Sequence, residues 1–211
     1  MNSVQLGELL DVQQRTAWYM GHRIRNACRQ VPFVSGQVQG DEAYFGGKEA
    51  NKHASKKARA GRGAVSKTAV FGMKDDKGRV YAQVVNDTTK DTLQGIIQAK
   101  ALIDSVIITD EHRSYLGVRK KGYLHVSVNH SKGEYVRGGF HTNGIESFWA
   151  VLKRAIAGNF YHLSDKHLQR YVDEFAFRAS NGDFFQAVCK NMQFGARLKY
   201  KNLVGVGVKN G

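Results

Sequence analysis

The chain has 211 residues, 42% of them hydrophobic, which is enough for one core of ordinary size and too many for wholesale disorder. Its 32 Lys and Arg against 18 Asp and Glu leave a net charge of +14, an excess that points to a polyanionic partner, nucleic acid before others. No apolar run approaches the roughly 20 residues of a membrane span and no signal-peptide core opens the chain, so a soluble, cytoplasmic protein is expected; Cys28 and Cys189 are too isolated for a disulfide framework or a CxxC metal site.

Ahead of Pro32, the single proline, the chain reads as two short helices joined at Asp11-Val12. Val4, Leu6, Leu9 and Leu10 give the first helix an apolar side. In the second, Ala17, Trp18, Met20 and Ile24 are expected to face inward, with Gln13, Gln14, Arg15, His22, Arg23 and Arg25 outward. A polar and basic outer face is the composition of a helix-turn-helix recognition helix, which would bring Arg15, Arg23 and Arg25 to DNA. An ordinary helical hairpin leaning on the main domain fits the same residues equally well. Residues 1–30 are therefore a helix-turn-helix-like segment that lacks a third helix.

Beyond Pro32 the pattern changes. SGQVQGDEAYF reads as a strand. Between positions 48 and 67 stand Lys48, Lys52, Lys56, Lys57, Arg59, Arg62 and Lys67 against one acid, Glu49, and Gly61 and Gly63 break the stretch; a polar, basic loop against phosphate is expected. TAVFGMKDDKGRVYAQVVND predicts two strands turning at Asp75-Asp76-Lys77-Gly78. TKDTLQGIIQAKAL predicts a helix with Thr89 or Thr92 as cap, and SVIITD a strand buried on both faces. YLHVSVN is a further strand, and 141–156 and 165–179 read as helices. From Gln186 onward there is no acid, only Lys190, Arg197, Lys199, Lys201 and Lys209, a basic tail over 186–211. This order predicts an α/β domain over 34–185, with a mixed five-stranded sheet and helices on both faces.

Three acids stand where chemistry could be done. Asp41 lies in a strand, where a carboxylate is unfavourable unless paired, metal-bound or at an exposed edge; period-two alternation puts Glu42 on the opposite side. Asp110 ends the apolar run Val106-Ile107-Ile108-Thr109, at a strand's exit, and could equally cap the EHRSY turn that follows. Glu146 shares a helix face with Asn143 and Lys153, beside the apolar stripe Ile145, Phe148, Leu152 and Ile156; a capping box between Asn143 and Glu146 explains it as well. Asp75 and Asp76 fit a turn, and Asp173 and Glu174 are expected on a solvated helix face. His112 and His141 are expected near phosphate, and His162 and His167 at the surface or core edge.

Asp110 and Glu146 are separated by 35 residues, with Asp41 on an early strand. That pattern resembles the DDE transposases and integrases, and GDEAYFGGK, ITDEHRSY, HTNGIESFWAVLKR and YVDEFAFR resemble the ISXO2-like group of bacterial insertion-sequence transposases from about Val34 to Arg178. The resemblance implies an RNase H-like fold with Asp on the first strand, Asp after the fourth and Glu on a later helix. It implies that Asp41, Asp110 and Glu146 hold two Mg²⁺ (or Mn²⁺) ions, with Lys153, seven residues after Glu146, steadying phosphate. Whether Glu42 or Glu111 adds to the metal site stays open. The implied partner is double-stranded DNA, at transposon ends and target, gripped by a homo-oligomer associated with the nucleoid. The residues expected to meet it are Lys52, Lys56, Lys57, Arg59, Arg62, His112, Arg113, Asn143 and Arg154, besides the arginines of the first segment. The family usually carries a zinc ribbon, and no cysteine pair precedes Val34, so a truncated copy or a late start is expected. A catalytically inactive DNA-binding relic or regulator, and an RNase H-fold nuclease that cuts without joining, are the alternative functions.

Overall fold

The computed structural model describes residues 1–29, 33–46, 67–128, 136, 138–160, 163–194 and 198–204. Lys48, Lys52, Lys56, Lys57, Arg59 and Arg62, His162, Arg197 and Lys209 lie outside the described residues. Five strands form one sheet in the order β3-β2-β1-β4-β5: β1 Gln37–Phe45, β2 Thr68–Asp75, β3 Val80–Val85, β4 Val106–Thr109 and β5 Leu124–Ser127. The first three make an antiparallel meander, and β4 and β5 run parallel to β1. The β2–β3 turn closes on Asp75, whose carboxylate accepts from the Lys77 and Arg79 backbone N–H and from Arg79 Nε at 3.1, 2.8 and 2.7 Å. Gly78, with φ of 82°, supplies the left-handed step there.

Strand alternation divides the core into two layers. Val38, Phe71, Met73, Tyr81, Val85 and Ile107 pack under α3 (Lys90–Lys100), with Leu93, Ile97, Tyr115 and Tyr123. The other face carries Ala43, Phe45, Val70, Val80 and Ala82. It is covered by α4 (Asn143–Ala155) and α5 (Asp165–Ser180) through Ile145, Phe148, Trp149, Leu152, Leu168 and Val172. The mixed five-stranded sheet flanked by helices is the expected α/β architecture. β4 is buried on both faces, as a short apolar run in a parallel setting should be. Among the described residues no helix is long and apolar enough to cross a membrane.

α1 (Ser3–Leu10) opens on an Asn2 capping box and is followed by α2 (Gln14–Ala27), which packs against α5 and α6 (Phe184–Phe194). Here the expected orientation holds for Ala17, which is buried, and for Gln13, Gln14 and Arg15, which are exposed, and fails at three residues. Met20, expected inward, is exposed, while His22 and Arg25, expected outward, are buried. Arg25 Nε meets Glu174 Oε2 of α5 at 2.9 Å, and its guanidinium lies 4.0 Å from the centre of the Tyr171 ring. Glu174, expected on a solvated face, is buried with it and also accepts from Arg178. Arg25, expected on DNA, is thus buried and paired within the chain. His22 sits among Trp18, His167 and Tyr171, and burial pushes its imidazole down to about 3, which keeps it neutral. Helical period alone cannot foresee this, because α2 is covered on two sides by helices from the far end of the chain.

The described part of the basic tail is not extended. α6 and α7 (Tyr200–Val204) lean on α2, where the Tyr19 hydroxyl donates to the Leu198 carbonyl at 2.7 Å. Arg15 Nε donates to the Tyr200 hydroxyl at 2.8 Å, so this residue, expected on DNA, is already engaged within the chain.

Candidate active site

The parallel register pairs Gln37 with Val106 and Gln39 with Ile108. Carried on by two residues, it sets Asp41 level with Asp110, just beyond the end of β4. Asp110 is held by its backbone: the hydroxyls of Thr109 and Ser127 donate to its carbonyl at 2.8 and 3.1 Å. Its carboxylate accepts the His112 N–H at 2.9 Å, and His112, not Asp110, is the N-cap of the short 3₁₀ turn Arg113–Tyr115.

α4 brings the third acid to the Asp41 face of the sheet. Its bulky stripe of Ile145, Phe148, Trp149 and Leu152 is buried, which leaves Glu146 in the first turn at the margin of that face. The capping box from Asn143 does not form. Thr142 is the N-cap, Asn143 is the exposed first residue of the helix, and the Thr142 hydroxyl donates to Glu146 Oε1 at 2.7 Å. Gly72, opposite Asp41 on β2, makes the close approach of α4 possible: a Cβ there would lie 2.5 Å from a Trp149 ring carbon.

Electrostatics tie the three acids and Lys153 together. The Asp41 carboxyl is pushed up to about 6, chiefly by burial, with a backbone hydrogen bond from Glu42 opposing. Repulsion from Asp110 and Glu146 raises it further, and the Lys153 ammonium pulls it back. On the opposite face of β1, Glu42 is pushed up to about 7, again mainly by burial; the Tyr115 hydroxyl lowers it, and Asp110 and Asp41 raise it. Glu42 Oε1 and the Tyr115 hydroxyl are both buried without a well-formed hydrogen bond. Tyr115 is in turn pushed well above its ordinary value by burial and by Glu42.

Asp41, Asp110 and Glu146 are hard oxygen donors of the kind Mg²⁺ or Mn²⁺ takes, and the repulsion that Asp110 and Glu146 exert on Asp41 is what a divalent cation would relieve. The donor chemistry fits. Among the described residues, however, no three His, Cys, Asp or Glu side chains stand close enough to enclose an ion as placed. Of the other residues expected to serve the site, Lys153, Arg154, Asn143, His112, Arg113 and Glu111 are exposed, and Arg23 is half-buried on α2. Gly72 and Tyr115 were not singled out from the sequence. A glycine inside a strand does signal close approach, and Gly72 is such a case.

The model of the ISXO2-like transposase domain matches residues 33–180. The chain belongs to the ISXO2-like transposase domain family. A Haemophilus influenzae protein described as an uncharacterized transposase-like protein is 32% identical over 107 residues, covering 51% of this chain and 85% of that protein. Among solved structures, the chain is similar to the catalytic core domain of BIV integrase, with a TM-score of 0.44 and 13% identity over 76% of this chain and 97% of that one. It is also similar to the catalytic domain of Mos1 mariner transposase, with a TM-score of 0.44 and 15% identity over 82% of this chain and 88% of that one. The ISXO2-like match contains Asp41, Asp110, Glu146 and Lys153 and leaves α1, α2, α6 and α7 outside it.

Proposed function

We propose that this ISXO2-like domain is a DDE-type transposase that cuts DNA at the ends of an insertion sequence and transfers the freed 3′ ends into target DNA. What supports this reading is the parallel register that sets Asp41 level with Asp110, together with α4, whose first turn carries Glu146 on the same face of the sheet as Asp41. Asp41, Asp110 and Glu146 would hold two divalent ions, Mg²⁺ or Mn²⁺. When bound, such ions activate the attacking oxygen and stabilise the leaving one in in-line displacement at phosphorus. In the first reaction water attacks, a P–O bond to the transposon's 3′ oxygen breaks, and a 3′-hydroxyl is freed. In the second, that hydroxyl attacks a target phosphodiester, and one P–O bond forms as another breaks.

The chain's own residues position the reactants. Lys153 and Arg154 on α4, with His112 and Arg113 beside Asp110, offer donors to the phosphates that flank the cut. Joining two ends calls for a homo-oligomer on double-stranded DNA. Intact acids at all three positions favour this reading over an inactive DNA-binding relic, and the Glu146–Lys153 spacing favours it over a nuclease that never joins. Asp110→Asn is expected to abolish Mg²⁺-dependent cleavage of DNA carrying the element's end while leaving DNA binding largely intact. Cleavage at the wild-type rate by that variant would remove Asp110 from the site.

A further inference from the structure

We propose that Gln39 is a positioning residue that ties the strand bearing Asp41 to the helix bearing Glu146, and that Gly144 is required because Gln39 occupies the space a side chain would need. The proposal rests on the reading of Asp41, Asp110 and Glu146 as the catalytic acids. Gln39 lies two residues before Asp41 on β1 and is directed at α4, where its Oε1 accepts the Ile145 N–H at 3.0 Å. That N–H is in the first turn of α4, ahead of the regular bonds that each N–H makes to the carbonyl four residues back. The N-cap residue Thr142 makes no side-chain cap bond, because its hydroxyl is turned to Glu146. Its carbonyl shares the Ile145 N–H at 3.1 Å. A strand side chain thus caps the helix one residue before Glu146.

The grip has a second arm. Lys74 is paired directly with Gln39 across the β1–β2 ladder, and its Nζ donates to the Gly144 carbonyl at 3.4 Å. Two opposed strand residues therefore hold the same turn of α4 by an N–H and a C=O. Packing by the apolar stripe presses α4 onto the sheet but leaves small slides along it inexpensive, whereas directional hydrogen bonds fix the register. That register sets where Glu146 stands relative to Asp41.

Gly144 follows from the same arrangement. It has no positive φ to explain it, and alanine is ordinarily the better helix former. A Cβ at Gly144 would lie 2.7 Å from Gln39 Oε1 and 3.1 Å from Nε2. The Gln39 amide could swing clear, but only by releasing the Ile145 N–H.

The test compares Gln39→Leu, Gln39→Glu, Gly144→Ala and the Gln39→Leu/Gly144→Ala double variant in the full chain. Gln39→Leu is expected to lower kcat for end cleavage about 10–100-fold, as losing partners that orient ligand side chains does, with KM for DNA little changed. The Mn²⁺ concentration that half-saturates the thermal shift of the DNA-free protein should rise severalfold. Gln39→Glu keeps an oxygen acceptor at the same reach and should restore most of kcat. Gly144→Ala should reproduce the Gln39→Leu defect, and the double variant should be no worse than either, because both changes break one bond. Wild-type kcat and Mn²⁺ midpoint in Gln39→Leu, or additive losses in the double variant, overturn the proposal. Amide exchange at Ile145, faster in Gln39→Leu than in wild type, reports the bond without reference to activity. Unchanged exchange sinks the clamp alone, while wild-type cleavage by Asp110→Asn sinks the catalytic reading alone.

Discussion

Asp41 and Gly72 face each other across the antiparallel β1–β2 ladder, and the space beside Gly72 is filled by the indole of Trp149. An added Cβ would stand 2.5 and 2.7 Å from two ring carbons and 3.2 Å from Ile145 Cδ1. Trp149 and Ile145 are both buried and cannot move aside, so the helix must lift. Gly72→Ala is expected to destabilise the domain by about 1–3 kcal/mol, the usual range for overpacking. It should also lower kcat more than DNA affinity, since lifting α4 moves Glu146 away from Asp41. Urea melts with wild-type midpoints would show that α4 does not depend on this gap.

Asp41 also makes the protein's stability depend on pH. In the folded chain it ionises at about 6 rather than 3.8, so between those values the folded state keeps a proton that the unfolded chain has lost. Its contribution to stability is therefore full below about pH 4 and is lost as pH rises through about 6. Asp41→Asn carries no such burden. It should be more stable than wild type at pH 7.5, by roughly 1–3 kcal/mol after allowing for solvent screening, and equal to it near pH 4. Mg²⁺ should raise the melting temperature of wild type at pH 7.5 and not that of Asp41→Asn. Identical melting of the two proteins at pH 7.5 would show that burial does not hold Asp41 above its ordinary value.

Arg25 gives a prediction of the opposite kind, a basic residue whose loss should leave DNA binding unaltered. Its bond to Glu174 is buried, and removing one partner of such a pair costs about 3–5 kcal/mol when the other is left alone. Glu174 retains Arg178 at 2.9 Å, so a loss of about 2–3 kcal/mol is expected for Arg25→Ala. The salt dependence of DNA binding by the folded variant should match wild type. A flatter dependence would return Arg25 to the DNA interface.

What was legible in the sequence is what is local. Alternation and apolar runs marked all five strands and α3, α4 and α5, and strand ends drew attention to Asp41 and Asp110. Glu146 emerged from spacing and motif wording rather than from its own helix, where a capping box explained it equally well. The burial of His22 and Arg25 on α2 was not legible, because Glu174 and Tyr171, which meet them, come from α5. The Asn143 cap failed by one residue, since Thr142 is where the backbone turns into the helix. Gln39 passed as ordinary strand polarity, because only the folded chain shows that its amide meets the first turn of α4.

The basic stretch can be tested from its composition alone. Lys56, Lys57 and Arg59 lie among positive residues with Glu49 as the single acid nearby, a pattern suited to phosphate rather than to base edges. Neutralising all three should weaken DNA binding by a similar factor on every sequence, whether transposon end or unrelated duplex. The slope of log affinity against log salt should become shallower by up to about 3, roughly one for each phosphate no longer neutralised. Titrations at several salt concentrations, on both kinds of DNA, measure the two effects together. An unchanged slope would remove these residues from the interface, and a loss confined to the transposon end would make them readers of sequence instead.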